Sequence, residues 1–415
     1  MSGYWSVRAV VGGAVRDRVR VTHDAGIITA VEVGVDAEAG DTVLGGLTVP
    51  GLADAHSHAF HRALRGRTHG DGGSFWTWRE QMYHLAGVLD PDTYLELATA
   101  VFVEMVGAGI TVVGEFHYLH HDVDGSPYAE PGAMSEALAE AASRAGVRLT
   151  LLDTLYLAGG LDATGSAVPL SPVQRRFSDG DVESWLTRRA RLAETDLLRV
   201  GAAVHSVRAV SPGDLDLVRA AALDGPLHVH VSEQPAENSA CRAAHGVTPV
   251  RLLADHGLLT PSTTAVHATH LDGADVVALA ASGAGVCVCP TTERDLADGI
   301  GPARVLHDAG VPLSLGTDQN ATVDLLEEMR GLEMDERLAS GRRGRFTPAE
   351  LLTAGTSAGY AALGWDGGRL EVGALCDLTS IDERSVRTAG SSPDQLWLAA
   401  SAPDVLDTVV GGRHV

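Results

Sequence analysis

No lysine occurs in the chain: all 31 basic residues are arginine. That absence excludes a Schiff-base cofactor and a phosphate-loop lysine, both of which need a primary amine. It also excludes the carbamylated lysine that bridges the ions of some two-metal hydrolases. Cysteine is scarce. Cys241, Cys287, Cys289 and Cys376 form no CxxC pair and sit in apolar stretches, as reduced thiols do, and supply neither a disulfide frame nor a zinc ribbon. No apolar run reaches the length of about 18 residues that a membrane span needs; the longest, 276–289, is split by Ser282-Gly283 and ended by Pro290. The N-terminus has no basic segment leading into an apolar core, so no secretory signal is expected. Positive charge is in deficit, with a net charge of −23, which disfavours a phosphate-backbone partner. What remains is a soluble cytoplasmic protein. With 45% hydrophobic and 20% charged residues, it can bury a large core.

Two rhythms run along the chain. Residues 6–11, 19–22 and 27–33 alternate apolar and polar side chains, with Asp24-Ala25-Gly26 as a hairpin turn, and 368–381 and 405–415 do the same. Neither end carries enough apolar residues for its own core, so 1–49 and 366–415 are expected to join in one small β-sandwich domain. Between them, short β-rich runs end near Ser57, Leu119, Leu157, Val207, Glu233, Leu271, Thr292 and Gln319. Helical spacing follows at 93–106, 134–145, 183–192, 212–222 and 272–281. Eight alternating units predict an α/β fold, a (β/α)8 barrel over 50–365. The polar, Gly-rich stretches 61–90 and 159–179 read as active-site loops.

In such a barrel the reacting groups come from the C-terminal strand ends. The first end, GLADAHSH, places His56 and His58 two residues apart, on one face of a strand, where both can grip one cation. The fifth, PLHVHVSEQ, offers His230 near the strand end. His228 lies about 6.6 Å deeper at the usual rise and belongs to the core. Glu233 follows within reach of a proton transfer, or else is a solvated loop carboxylate. The sixth end offers His267. The eighth, LSLGTDQ, offers Asp318, which on its own is as well explained as a helix cap. Several nitrogen and oxygen donors without a thiolate suit zinc, with iron(II) as the alternative.

HxH on strand one, HxxE on strand five, His on strand six and Asp on strand eight resemble the amidohydrolase superfamily, in its aminohydrolase branch. The closing GRLEVGALCDL (368–378) resembles the return into that family's small β domain, with Cys376 where Ala is usual. The loop motifs HSHAF (56–60), SFWTWRE (74–80), EFHYLHH (115–121), QRRF (174–177), HSVRAV (205–210), HVHVSEQ (228–234), VHATHL (266–271) and CPTTERDLADGI (289–300), with Tyr4-Trp5 near the start, are similar to members acting on linear formimino amino acids. The resemblance covers essentially the whole chain. It implies one Zn²⁺ held by His56, His58, His230 and Asp318, with Glu233, His267 and Asp318 catalytic. It implies water addition to N-formimino-L-glutamate with loss of ammonia, in a homodimer. The substrate's two carboxylates would meet His61, Arg79, Tyr118, His205 and Arg208, with Arg175 and Arg176 either joining them or bridging loops. The chain departs from the pattern at His61, where Gln is usual, and at Gln319-Asn320, where Ser-His often follows the aspartate; both departures are expected near substrate. The rival reading, a nucleobase or nucleoside aminohydrolase, predicts aromatic or amide groups in the pocket instead of paired arginines.

Overall fold

The computed structural model describes residues 2–68, 70 and 73–415. Eight parallel strands, Leu52–Ser57, Ile110–His117, Arg148–Leu155, Leu198–Val204, Leu227–Val231, Thr263–His267, Gly285–Val288 and Leu313–Leu315, are hydrogen-bonded in chain order and are numbered 1 to 8 below. They are rich in Val, Leu, Ala and Thr and almost wholly buried, as strands covered on both faces must be. Main-chain groups close the barrel between strands 8 and 1. The Asp318 N–H donates to His56 O at 2.9 Å, and the His58 N–H donates to Asp318 O at 2.8 Å. Gly316 permits this approach, since a Cβ there would stand 2.7 Å from the His56 carbonyl oxygen.

The five expected helices lie at Pro91–Gly107, Ala133–Ala145, Val182–Arg189, Pro212–Ala220 and Gly273–Ser282. Side chains of Asp90, Asp181, Ser211 and Asp272 accept from first-turn N–H groups and fix four of the starts. Most strands stop short of the expected ends; the eighth ends at Leu315, not Gln319. The chain leaves the ladder there by sharp turns, with His267 at φ 68° and Asp318 at φ 47°. The 61–90 stretch, of which 69, 71 and 72 lie outside the described residues, carries an α-helix, Phe75–Ala86. The 159–179 stretch holds a two-stranded hairpin and the 3-10 turn Val173–Phe177. Both lean over the C-terminal mouth of the barrel, where Trp78 and Phe177 share a cavity with His58.

The terminal segments meet in one seven-stranded mixed sheet. Its spatial order is Arg413–His414, Val405–Val410, Leu378–Ile381, Thr42–Pro50, Ser2–Val11, Ala14–Asp24, Ile27–Val33. The sheet doubles back on itself: the Ile28 N–H donates to Ala374 O and the Cys376 N–H to Gly26 O, both at 2.8 Å. Tyr4, Val19, Val21, Ile28, Leu44, Leu378 and Val409 pack between the layers. Asp377 ties this unit to the barrel through the buried Arg148, with Nε to Oδ2 at 2.9 Å, and through the Tyr360 hydroxyl at 2.7 Å. Among the described residues no helix is long and apolar enough to cross a membrane.

Candidate active site

Strands 1, 5 and 8 bring four side chains to one point. His56 Nε2 lies 3.2 Å from His230 Nε2, and Asp318 Oδ1 lies 3.5 Å from both His56 Nε2 and His58 Nε2. A tetrahedral ion with bonds of about 2.0–2.1 Å sets its donors about 3.3–3.4 Å apart, so these separations match the edges of such a polyhedron. The ring tautomers agree. The His58 Nδ1–H donates to Phe116 O at 2.8 Å and the His230 Nδ1–H to His205 O at 3.0 Å, which leaves both Nε2 lone pairs turned inward. Burial holds the His56, His58 and His230 pKa values below the ordinary range, keeping the rings neutral. The four therefore fit a zinc-type cation in donor chemistry, spacing and protonation.

On the cavity side of this nest, His267 Nε2 lies 3.8 Å from Glu233 Oε1 and 3.9 Å from Asp318 Oδ2. Its Nδ1 faces Glu293 Oε1 at 3.4 Å, and that same oxygen accepts the Cys289 N–H at 2.9 Å. Burial disfavours a charged His267, but Glu233, then Glu293 and Asp318, outweigh it and raise its pKa well above the usual range. Burial raises Glu233, with His267 and Arg208 opposing, so this carboxyl holds a proton more firmly than an exposed one. Glu233 is thus not a solvated loop residue, being 6% exposed.

A cavity opens above the nest. His58, His230, Glu233, His267 and Asp318 form its floor, and His61, Arg79, Tyr118, His205 and Arg208 stand in its walls. His61 Nε2 and the Tyr118 hydroxyl are 3.0 Å apart, and burial lowers the His61 pKa to about 3, so the ring is neutral. His205 is kept neutral by burial, then by Arg208 and Arg79. Arg79 lies over the Trp76 ring at 4.6 Å and pairs with no carboxylate among the described residues. His228 is a core residue, its Nε2–H donating to Ala362 O at 3.0 Å.

Four residues weighed as substrate contacts lie elsewhere, and for Arg176 the loop-bridging alternative holds. Arg176 is wholly buried and braces loops, donating to the carbonyls of His121, Ala86 and Leu89. Arg175 is exposed outside the cavity. Gln319 turns away to Asp295. Asn320 is fully buried in the barrel seam, its Nδ2 donating to Ser57 Oγ and His58 O at 3.1 Å, while its Oδ1 accepts from Thr317 Oγ1 at 2.7 Å. Thr317 Oγ1 also lies 2.5 Å from Asp54 Oδ2, so its single hydroxyl hydrogen is shared between two acceptors. A polar pair after a strand reads equally as wall or seam; only three-dimensional packing separates the two.

Sequence reasoning missed Glu293 and Glu237, whose neighbours come from other strands, and the aromatic wall of Tyr83, Tyr156 and Phe177 beside Phe75, Trp78 and Tyr118. The QRRF motif held a usable signal. Gln174 Nε2 donates to the Tyr156 hydroxyl at 2.8 Å and to that of Tyr83 at 3.0 Å, fixing two of those rings.

The model of the amidohydrolase family matches residues 47–415. Formimidoylglutamate deiminase of Pseudomonas aeruginosa is 37% identical over 100% of this chain and 94% of that protein. An amidohydrolase structure from Brucella melitensis superposes with a TM-score of 0.92 at 33% identity, covering 100% of this chain and 94% of the other. A zinc-bound adenosine deaminase from Xanthomonas campestris gives 0.85 at 25% identity, covering 100% and 92%. With its parallel barrel, its His/Asp nest and this likeness over its whole length, the chain belongs to the amidohydrolase family, as a hydrolase of carbon–nitrogen bonds.

Proposed function

We propose that the protein hydrolyses N-formimino-L-glutamate to N-formyl-L-glutamate and ammonia, with zinc held by His56, His58, His230 and Asp318. The observation that carries this reading is the pair of arginines, Arg79 and Arg208, in the walls of the same cavity as the nest. In a chain of net charge −23 such a concentration of cations calls for an anionic ligand, and guanidinium forks suit carboxylates. The likeness to the Pseudomonas aeruginosa enzyme supports the same substrate.

Zinc, when bound, polarises water and lowers its pKa to about 7. Asp318 takes a proton from the attacking water as the oxygen adds to the formimino carbon. His267 Nε2, facing both Asp318 and Glu233, holds that oxygen in line. Glu233 protonates the formimino nitrogen, Asp318 passes on the proton taken from water as that nitrogen's second, the adduct's hydroxyl proton returns to Glu233, and the carbon–nitrogen bond breaks to give ammonia and a formyl carbonyl. Arg79, Arg208, His205, Tyr118 and His61 orient the dicarboxylate. In this reading the enzyme works in the cytoplasm on a small molecule.

The aromatic wall favours a second reading, deamination of a nucleobase or nucleoside, because flat rings stack on such walls. Ammonia release from N-formimino-L-glutamate, N-formimino-L-aspartate, guanine and adenosine, measured side by side on protein of known metal content, separates the two. The expected outcome is the highest kcat/KM for N-formimino-L-glutamate; a higher value for either purine overturns the proposal.

A further inference from the structure

Arg208 is a buried cation whose hydrogen bonds are unspent. Its side chain is 10% exposed, yet Nη2 lies 3.7 Å from Glu233 Oε2 and Nε lies 3.9 Å from Glu237 Oε2, both beyond hydrogen-bond length. Nε has no hydrogen-bond partner. Glu237, 2% exposed, stands in the first turn of the helix Pro235–His245 that follows strand 5. Its Oε2 also accepts the main-chain N–H of Glu233 at 3.2 Å, and Oε1 is buried without a partner. One carboxylate oxygen therefore faces both the guanidinium and the backbone of the proposed proton donor. Glu237 does not line the cavity.

We propose that Glu237 is a positioning residue that holds the Arg208 guanidinium aimed into the cavity and so sets the affinity for a substrate carboxylate. This rests on reading Arg208 as the carboxylate receptor. The physical need follows from the acid–base role of Glu233. A group that gains and loses a proton in each turnover cannot serve as the constant counter-charge of a desolvated arginine, and an uncompensated buried cation is costly. Glu237, outside the cavity and with no part in the proton transfer, is the second carboxylate that faces this guanidinium. Both carboxylates face the Nε/Nη2 edge of the guanidinium, so the Nη1 edge of the fork remains open for a ligand.

The test is a double-mutant cycle on metal-loaded protein: wild type, Glu237→Gln, Arg208→Ala and the double variant. KM and kcat are read from ammonia release with N-formimino-L-glutamate, and the Kd of N-formyl-L-glutamate is read by calorimetry. Glu237→Gln, nearly isosteric, is expected to raise KM and Kd roughly tenfold or more while kcat changes less than about threefold, as loss of a buried counter-charge predicts. Glu237→Asp keeps the charge and is expected to show a smaller rise. Adding Glu237→Gln to Arg208→Ala is expected to leave KM and Kd unchanged. Equal fold-increases in both backgrounds, an unchanged KM and Kd, or a loss carried by kcat alone would overturn the proposal. Should Glu237→Gln fail to fold, Glu237→Asp runs the same cycle with the same criteria. Wild-type binding of N-formyl-L-glutamate without turnover overturns only the substrate reading; no binding at all overturns both.

Discussion

Replacing Glu233 with Gln separates chemistry from binding more cleanly than any other change in the cavity. The side chain keeps its size and an acceptor oxygen, but no longer transfers a proton. Proton transfer by a placed group is worth roughly 10²–10⁴ in rate, or about 3–5 kcal/mol of barrier, so kcat should fall by that factor. Binding should respond in the opposite sense. Glu233 Oε2 lies 3.7 Å from Arg208 Nη2, so whenever the carboxyl is ionised the two attract by roughly 4 kcal/mol at an effective dielectric of about 20, before desolvation is counted. A substrate carboxylate must compete with that ionised form. Gln cannot ionise and removes the competitor, so KM should hold or fall. The assay is steady-state ammonia release on protein whose zinc content is measured by mass spectrometry. A kcat within tenfold of wild type at full metal occupancy would refute the acid role. A rise in KM would refute the electrostatic competition.

Arg208→Ala should raise KM more than Arg79→Ala, with metal content unchanged in both, because Arg79 is partly exposed and already packed on Trp76; the reverse order in steady-state kinetics would reassign the main receptor. Asn320→Ala removes the bonds from the seam to Ser57, His58 and Thr317, and zinc should bind about 10–100-fold more weakly in competition with a chromophoric chelator; unchanged affinity would detach the seam from the nest. Burial pushes Glu115 up to about 8 from 4.5, so its proton is bound more tightly in the folded state. Its contribution is full below pH 4.5 and drains away as pH rises toward 8, whereas Glu115→Gln keeps an acceptor for the Ala59 N–H at every pH. Urea titrations at pH 5 and pH 8 should show wild type losing stability relative to the variant, and an equal difference at both would contradict this.

Much of the site was legible because strand geometry acts over two or three residues. HxH at 56–58 and His230 ahead of Glu233 fall at strand ends, where period-two alternation fixes which side chains face the mouth. Asp318 read equally well as a helix cap, and only its separation of 3.5 Å from two imidazoles distinguishes the readings. Helices with an Asp or Ser cap were visible, but Pro290–Asp295 was not, since TTERD is short and polar enough to pass for a loop. Arg176 shows the opposite difficulty. A charged residue in a loop motif invites a ligand-binding reading, and nothing in its neighbours along the chain reveals three carbonyls brought from elsewhere. Glu237 and Glu293 stayed silent for the same reason, their meaning lying in partners about 30 residues away or on the next strand.

The rungs that shut the barrel belong to His56, His58 and Asp318, the same residues whose side chains face one another across the nest. In the proposed reading, grip on an ion and closure of the cylinder are thus a single event, expressed once in side chains and once in main chain. Any substitution that retunes this joint shifts the reaction centre with it, so evolution has far more freedom to remodel the loops over the mouth than the hoop beneath them.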